Sequence, residues 1–347
     1  MTRSLGRLAL AGCLALAASA RGTALAETRA EGDEPKPSAP FLFRSWTTED
    51  GLPHNAVNAI AQTSDGYLWL GTDSGLGRFD GVRCRVFGLS DGLSSLQITA
   101  LLADRRGVLW IGTYGGGLSR LAQGRIETIT TREGLAGDTI IALLEDADGA
   151  IWIGTGTGLS RWHEGKLTTV TAEPAAQVYV RALGQDRQGT LWVASLHQGL
   201  LRLEDGKLVH VAGPPDISDG AWYSLLADRD GRLWAGLRGG AILCQKETGW
   251  TRYGTNQGVP LGYITSLAQT PEGTIWAGSL DEGLLFLKDG TFRTLRQQDG
   301  LTDNAVRCVF VDREQNLWAG TRAGGLSRLT TRRLLTRRVP ESDQTAG

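Results

Sequence analysis

Ser64-Asp65-Gly66-Tyr67-Leu68-Trp69-Leu70-Gly71-Thr72 is a turn opened by Asp and Gly that runs into a short apolar strand around a tryptophan. The pattern returns six times. Its cores are Gly107-Val108-Leu109-Trp110-Ile111-Gly112-Thr113, Gly149-Ala150-Ile151-Trp152-Ile153-Gly154-Thr155 and Gly189-Thr190-Leu191-Trp192-Val193-Ala194-Ser195. Then come Gly231-Arg232-Leu233-Trp234-Ala235-Gly236, Gly273-Thr274-Ile275-Trp276-Ala277-Gly278 and Asn316-Leu317-Trp318-Ala319-Gly320-Thr321. Successive tryptophans stand 40 to 42 residues apart. A fixed period of that length is one supersecondary unit used repeatedly. Within the second period, Leu96 to Ala103, Val108 to Thr113, Gly117 to Leu121 and Arg125 to Thr130 read as four short strands. Asp104 to Gly107 and Gln123-Gly124 supply turns, because Asp bonds its own backbone and Gly takes positive φ. Four strands per period at even spacing predict an all-β chain, a single seven-bladed β-propeller of four-stranded blades over 41–340, with 341–347 as a tail. A solenoid is the rival, but the common solenoid repeats are shorter or helical.

Composition agrees. The chain has 48 glycines in 347 residues, about twice the ordinary ~7%, which suits turns and not long helices. Seven of its 11 tryptophans are the one repeated position. With 36 basic and 37 acidic residues the formal net charge is -1, which argues against a nucleic-acid-binding protein.

The first residues read as an address. Arg3 and Arg7 precede the apolar run Leu8 to Ala20, and Ala24-Leu25-Ala26 has the small-residue form of a cleavage site. We therefore expect a signal peptide over 1–26, a polar linker over 27–40, and a periplasmic or secreted mature chain with no transmembrane segment. The alternative is a lipoprotein anchored through Cys13, in the Leu10-Ala11-Gly12-Cys13 stretch. The remaining cysteines, Cys84, Cys244 and Cys308, are an odd set in apolar runs and read as buried small hydrophobes.

Columns taken through the repeats separate packing from other uses. Ten positions before each tryptophan stand Ala59, Ala100, Ala142, Ala182, Ser224, Ser266 and Cys308, all small; the next position is large throughout. The N-terminal Phe43 to Leu52 stretch aligns with the outer strand and exit loop of a blade, so it is a candidate to complete the seventh blade and close the ring; Leu334 to Val339 is the other candidate.

The L-W-x-G-T/S cores, the G-L-x-R strands and the D-G-L exit loops resemble the two-component regulator propeller repeat, over roughly 41–333. The fourth to sixth copies drift: Ala194 replaces a Gly, Leu237 replaces a Thr, and Gly240-Ala241 stands for Gly-Leu. The resemblance implies the exported sensor region of a hybrid histidine kinase, acting in signal transduction on an extracytoplasmic ligand, often a carbohydrate breakdown product. Such proteins commonly carry a second propeller, an immunoglobulin-like domain, a membrane helix and a kinase. None of these follows in the 347 residues. The chain is accordingly read as a sensor or binding partner without its own kinase domain, or as a truncated sensor.

No catalytic constellation stands out, and no cofactor or metal is expected. The four histidines, His54, His163, His197 and His210, fall in different blade positions without metal spacing. Asp146-Ala147-Asp148-Gly149 begins like a calcium loop, but position 12 of that frame is Thr157 and not the required Glu. The Gly-rich runs join strands and precede no helix that could cradle phosphate.

A ligand site is expected on the face where variable loops converge on the axis. There the columns are heterogeneous: Asn58, Thr99, Ile141, Arg181, Tyr223, Thr265 and Arg307 stand eleven before each Trp. Asp73, Tyr114, Gly156, Leu196, Arg238, Leu280 and Arg322 stand four after. Arg and aromatic residues anchor ligands well. The candidate ligand-binding residues are therefore Tyr114, Tyr179, Arg181, Trp222, Tyr223, Arg238, Tyr263, Arg307 and Arg322, forming a cationic, aromatic-rimmed funnel for a small acidic or carbohydrate ligand. A sensor kinase or another envelope protein is the expected macromolecular partner. The rival readings are a propeller lyase-like enzyme, for which His54 and His197 are the available histidines, and a protein-interaction scaffold.

Overall fold

In a computed structural model that describes residues 41–173, 177–247 and 249–331, each period folds as one antiparallel four-stranded blade. The inner strands are Val57–Gln62, Ile98–Ala103, Ile140–Glu145, Val180–Gln185, Trp222–Ala227, Ile264–Gln269 and Val306–Val311. Each touches the next, and the last touches the first, so seven blades close a ring. The signal peptide, the linker, the Leu334 to Val339 segment and the 341–347 tail fall outside the described residues.

Closure is by the N-terminal strand. Phe41–Trp46 runs antiparallel to Leu326–Thr331, from Phe41 opposite Thr331 to Trp46 opposite Leu326. It is the outer strand of the seventh blade and covers an edge that would otherwise be open to pairing. Between the third and fourth blades the outer strands also pair, in parallel, with Thr171 to Glu173 against Lys207 to Val209.

The repeated tryptophans are 2–5% exposed and lie between neighbouring blades. Each buried indole N–H needs an acceptor. Asp104, Asp146, Asp186, Asp228 and Asp312, six residues upstream, accept those of Trp110, Trp152, Trp192, Trp234 and Trp318 at 2.7–2.9 Å. The same carboxylates take backbone N–H groups of their own turn, as Asp146 takes those of Asp148 and Ala150. Asp146 thereby accepts from the indole of Trp152 and from two backbone N–H groups at once. In the first blade Thr63 serves Trp69 at 2.9 Å. In the sixth, Thr270 occupies the place and the indole nitrogen of Trp276 has no partner.

The D-x-x-G turns put their last residue in left-handed backbone, with φ of 79–91° at Gly66, Gly107, Gly149, Gly189, Gly231 and Gly273. The seventh turn has Gln315 there instead, at φ 68°. These turns also tie the blades together on one face. The backbone N–H groups of Arg105, Ala147, Arg229 and Arg313 donate to Glu145, Gln185, Gln269 and Gln62, each the last residue of the next inner strand. Between blades six and seven the pattern offers only Pro271, which has no N–H, and Val311, which has no acceptor side chain. That seam is packed by Phe41, whose ring meets Trp276 and Phe286 edge-on, both at 5.4 Å. Cys84, Cys244 and Cys308 are free thiols. Burial pushes Cys308 up to about 12 and Cys84 to about 11, so both are held as protonated, unreactive thiols.

A candidate ligand site at the mouth of the ring axis

In every blade the inner strand begins with the same irregularity. The register against the second strand skips one residue, between Val57 and Ala59, Ile98 and Ala100, Ile140 and Ala142, Val180 and Ala182, Trp222 and Ser224, Ile264 and Ser266, and Val306 and Cys308. The skipped residues are Asn58, Thr99, Ile141, Arg181, Tyr223, Thr265 and Arg307. Each is the extra residue of a β-bulge, and a bulge re-aims its side chain out of the ladder. All seven line one cavity of about 450 Å³ over the axis. Below it the small column from Ala59 to Cys308 lines a narrower channel of about 280 Å³. Tyr114, Tyr179, Asp73 and Leu280 complete the upper wall.

The bulge residues divide into two kinds. Asn58, Thr99 and Thr265 reach the first carbonyl of the following inner strand, at Ile98, Ile140 and Val306, with bonds of 2.8, 2.5 and 2.7 Å. Arg307 joins them: its guanidinium donates to Asn58 Oδ1 and lies 3.4 Å from both oxygens of Asp73. Asn58 in turn donates to Asp73 at 2.8 Å. On this side a heterogeneous column, read from the sequence as lining a ligand site, also serves to join blades. On the other side, Ile141, Arg181 and Tyr223 make no such bond.

Arg181 stacks its guanidinium on Tyr223 at 3.7 Å from the ring centroid. Tyr223 meets Tyr263 edge-on at 5.3 Å, and Arg238 lies 5.4 Å over Tyr263. Burial pushes the Arg181 guanidinium below its ordinary range, while the nearness of Tyr179 and Tyr263 pulls the other way. Arg has no accessible neutral form near neutral pH, so Arg181 remains a cation. Arg238 and Arg322 are exposed, each just beyond the second strand of its blade on this same face, and Tyr114 is 60% exposed.

Of the expected residues, Tyr114, Tyr179, Arg181, Tyr223 and Arg307 line the cavity, Arg238, Tyr263 and Arg322 stand outside its lining, and Trp222 lies in the core. Trp222 is 1% exposed and packs in the core against Trp250, with ring centroids 5.5 Å apart. It occupies the place held by Val57, Ile98, Ile140, Val180, Ile264 and Val306 in the other blades, all fully buried. That column, twelve before each Trp and apolar throughout, is the signal that would have assigned it to packing. Asn58, Asp73 and Gln97, outside the candidate set, also line the cavity.

The histidines stand apart from one another, His210 Nε2 lying 3.3 Å from Asp219. His54 Nδ1 accepts the Ala56 N–H at 2.9 Å, and His197 packs edge-on to Tyr179 with ring centroids at 6.3 Å. Among the described residues no group of three His, Cys, Asp or Glu is placed to hold a metal ion, and no helix is long and apolar enough to cross a membrane.

The sequence model of the two component regulator propeller matches residues 51–74, 92–115, 134–157 and 300–323. The chain carries two-component regulator propeller repeats. The matched segments run through the first, second, third and seventh blades, and the drifting fourth to sixth lie outside them. Histidine kinase P4 of Formosa agariphila is 43% identical over 47 residues, 14% of this chain and 3% of that protein. The extracellular domain of a hybrid two component system from B. thetaiotaomicron superposes with TM-score 0.73 at 22% identity, over 84% of this chain and 42% of the other. Virginiamycin B lyase from Staphylococcus aureus superposes with TM-score 0.68 at 14% identity, over 84% of this chain and 99% of the other. At these identities the likeness is one of fold, which many activities share. The propeller spans about two fifths of the extracellular domain it matches.

Proposed function

We propose that this propeller is the ligand-binding unit of an exported sensor. It takes a small acidic or carbohydrate molecule into the axial funnel and relays occupancy to a sensor kinase or other envelope protein, without catalysing a reaction. The observation that carries this reading is the cavity itself. Seven bulges aim seven side chains at one space, and three of them, Ile141, Arg181 and Tyr223, are not used to join blades. Arg181, Tyr223, Tyr263 and Arg238 come from the fourth to sixth blades, where the repeat pattern drifts. Concave sites with a few convergent polar groups are the usual form of small-molecule sites. The similarity to extracellular domains of two-component systems supports an extracytoplasmic location and a signalling role.

The test is a thermal-shift screen of the full chain against uronic acids and neutral and acidic oligosaccharides. A concentration-dependent rise in melting temperature, lost when Tyr223 is replaced by Ala, is expected. No shift with any of them would favour a protein-interaction disc instead.

A further inference from the structure

Two arginines line the funnel and two more stand exposed on the same face, and the structure gives them different tasks. Arg307 is committed to Asn58 and Asp73 across the seam between the seventh and first blades. Its charge is answered from within the protein. Arg238 and Arg322 are exposed on the rim, where water solvates them. Arg181 alone is only partly exposed, on the axis, with no carboxylate within ion-pair distance among the described residues. A desolvated cation without a counter-ion is costly, so its surroundings must either answer the charge or leave room for something that does.

The tyrosines answer part of it. Tyr223 takes the flat face of the guanidinium, and Tyr179 lines the same cavity beside it. Stacking on a ring uses the face of the fork and leaves in-plane N–H donors for a planar or tetrahedral anion. The opposite wall, Asn58 with Asp73, is polar and carries acceptors that suit hydroxyl groups. The cavity is therefore polarised, with a cationic, aromatic side and a hydrogen-bonding side.

Resting on the reading of the funnel as a ligand site, we propose that Arg181 is its anion seat. The ligand is a ring-bearing monoanionic unit, carboxylate or sulfate, with its charge on Arg181, its ring face on Tyr179, and its hydroxyl edge toward Asn58 and Asp73. The fourth and fifth blades thus set specificity, and the seventh and first form the rigid wall.

Isothermal titration of the full chain with three probes tests this: digalacturonic acid, its dimethyl ester, and a sulfated disaccharide of the same length. The ester keeps the ring and loses the charge. At least a tenfold weaker affinity for the ester is expected, and the acid and sulfate arms show which anion the seat prefers. Arg181→Met should weaken acid binding at least tenfold, down to the level of the ester, with Arg181→Lys retaining part of the preference. Melting curves of both variants establish that they are folded. Equal binding of acid and ester by the unaltered chain would overturn the anion seat while leaving the funnel as a ligand site. So would an acid affinity unchanged in a folded Arg181→Met. Failure of all three probes to bind would overturn the ligand site and the seat together.

Discussion

Trp318 donates its indole N–H to Asp312, six residues upstream, at 2.7 Å, and Trp276 has only Thr270 at the corresponding place. The indole nitrogen of Trp276 is buried without a partner. An unmade hydrogen bond of that kind costs about 1–3 kcal/mol. Thr270→Asp restores the acceptor, and the N–H of Thr274 becomes a second donor to it, as that of Asn316 is to Asp312. The variant should be more stable by about 1 kcal/mol, read as a higher urea midpoint at unchanged slope. The converse change, Asp146→Ala, strips the acceptor from Trp152 and two backbone N–H groups and should cost about 2–3 kcal/mol.

The repeated tryptophan is also where the sequence was most legible, although its bond to the upstream Asp was not. A position repeated seven times reports one environment, so the tryptophans, the small axial column and the turns gave the blade count directly. Closure was half legible: Phe43 to Leu52 matched an outer strand, but only pairing with Leu326–Thr331 shows the strand seated there. The site was legible as a column and not as roles. Asn58, Thr99 and Thr265 look free in sequence, yet the bulge brings them to the next strand's first carbonyl. Trp222 looked like a loop aromatic because its neighbours drift, whereas its register places it in the core. The ties from Arg105 and Arg313 to the next blade were missed, since such a bond depends on a turn and a strand end about forty residues apart or at opposite ends of the chain.

Gln315 stands in left-handed backbone where six other turns use glycine. A residue with a Cβ pays about 1–2 kcal/mol there. Gln315→Gly should therefore raise stability, by less than that figure because glycine also loosens the unfolded chain. A rise of about 0.5–1 kcal/mol in chemical unfolding is expected.

Phe41 fills one of the three seams that lack the backbone tie. Its ring contacts Trp276 and Phe286 of the sixth blade while its backbone belongs to the seventh. Phe41→Ala should cost about 2–3 kcal/mol, at the low end for such truncations because the ring is only partly buried. Hydrogen exchange should show the loss first in Ile275–Ser279 and Leu326–Thr331.

Arg307, Asn58 and Asp73 form a small network that holds the two ends of the ring together at the funnel wall. Both charged side chains are partly exposed, 27% and 30%, so solvent screens the pair. A double-mutant cycle with Arg307→Met and Asp73→Asn should give a coupling of about 0.5–1 kcal/mol, falling with added salt. A coupling near zero would show that the two residues hold their places independently.

Asp228 gives the fold a defined acid response. Burial alone pushes its carboxyl up, but hydrogen bonds from Trp234, the Arg232 backbone and the Arg232 guanidinium together hold it below the ordinary carboxylate range. The folded state thus binds this proton more weakly than the unfolded state. Stability from the group is fully present above the unfolded value of about 3.9 and is lost as pH falls through the folded value. Asp228→Asn removes the titration and turns one acceptor oxygen into a donor facing the Trp234 and Arg232 donors, which lie 2.7–2.8 Å from Asp228. The variant should be less stable than the parent at pH 7, and the gap between them should narrow steadily below about pH 4. Urea unfolding of both chains from pH 7 to pH 2 measures it; a gap that stayed constant with pH would mean that the carboxylate's charge contributes nothing and only its shape matters.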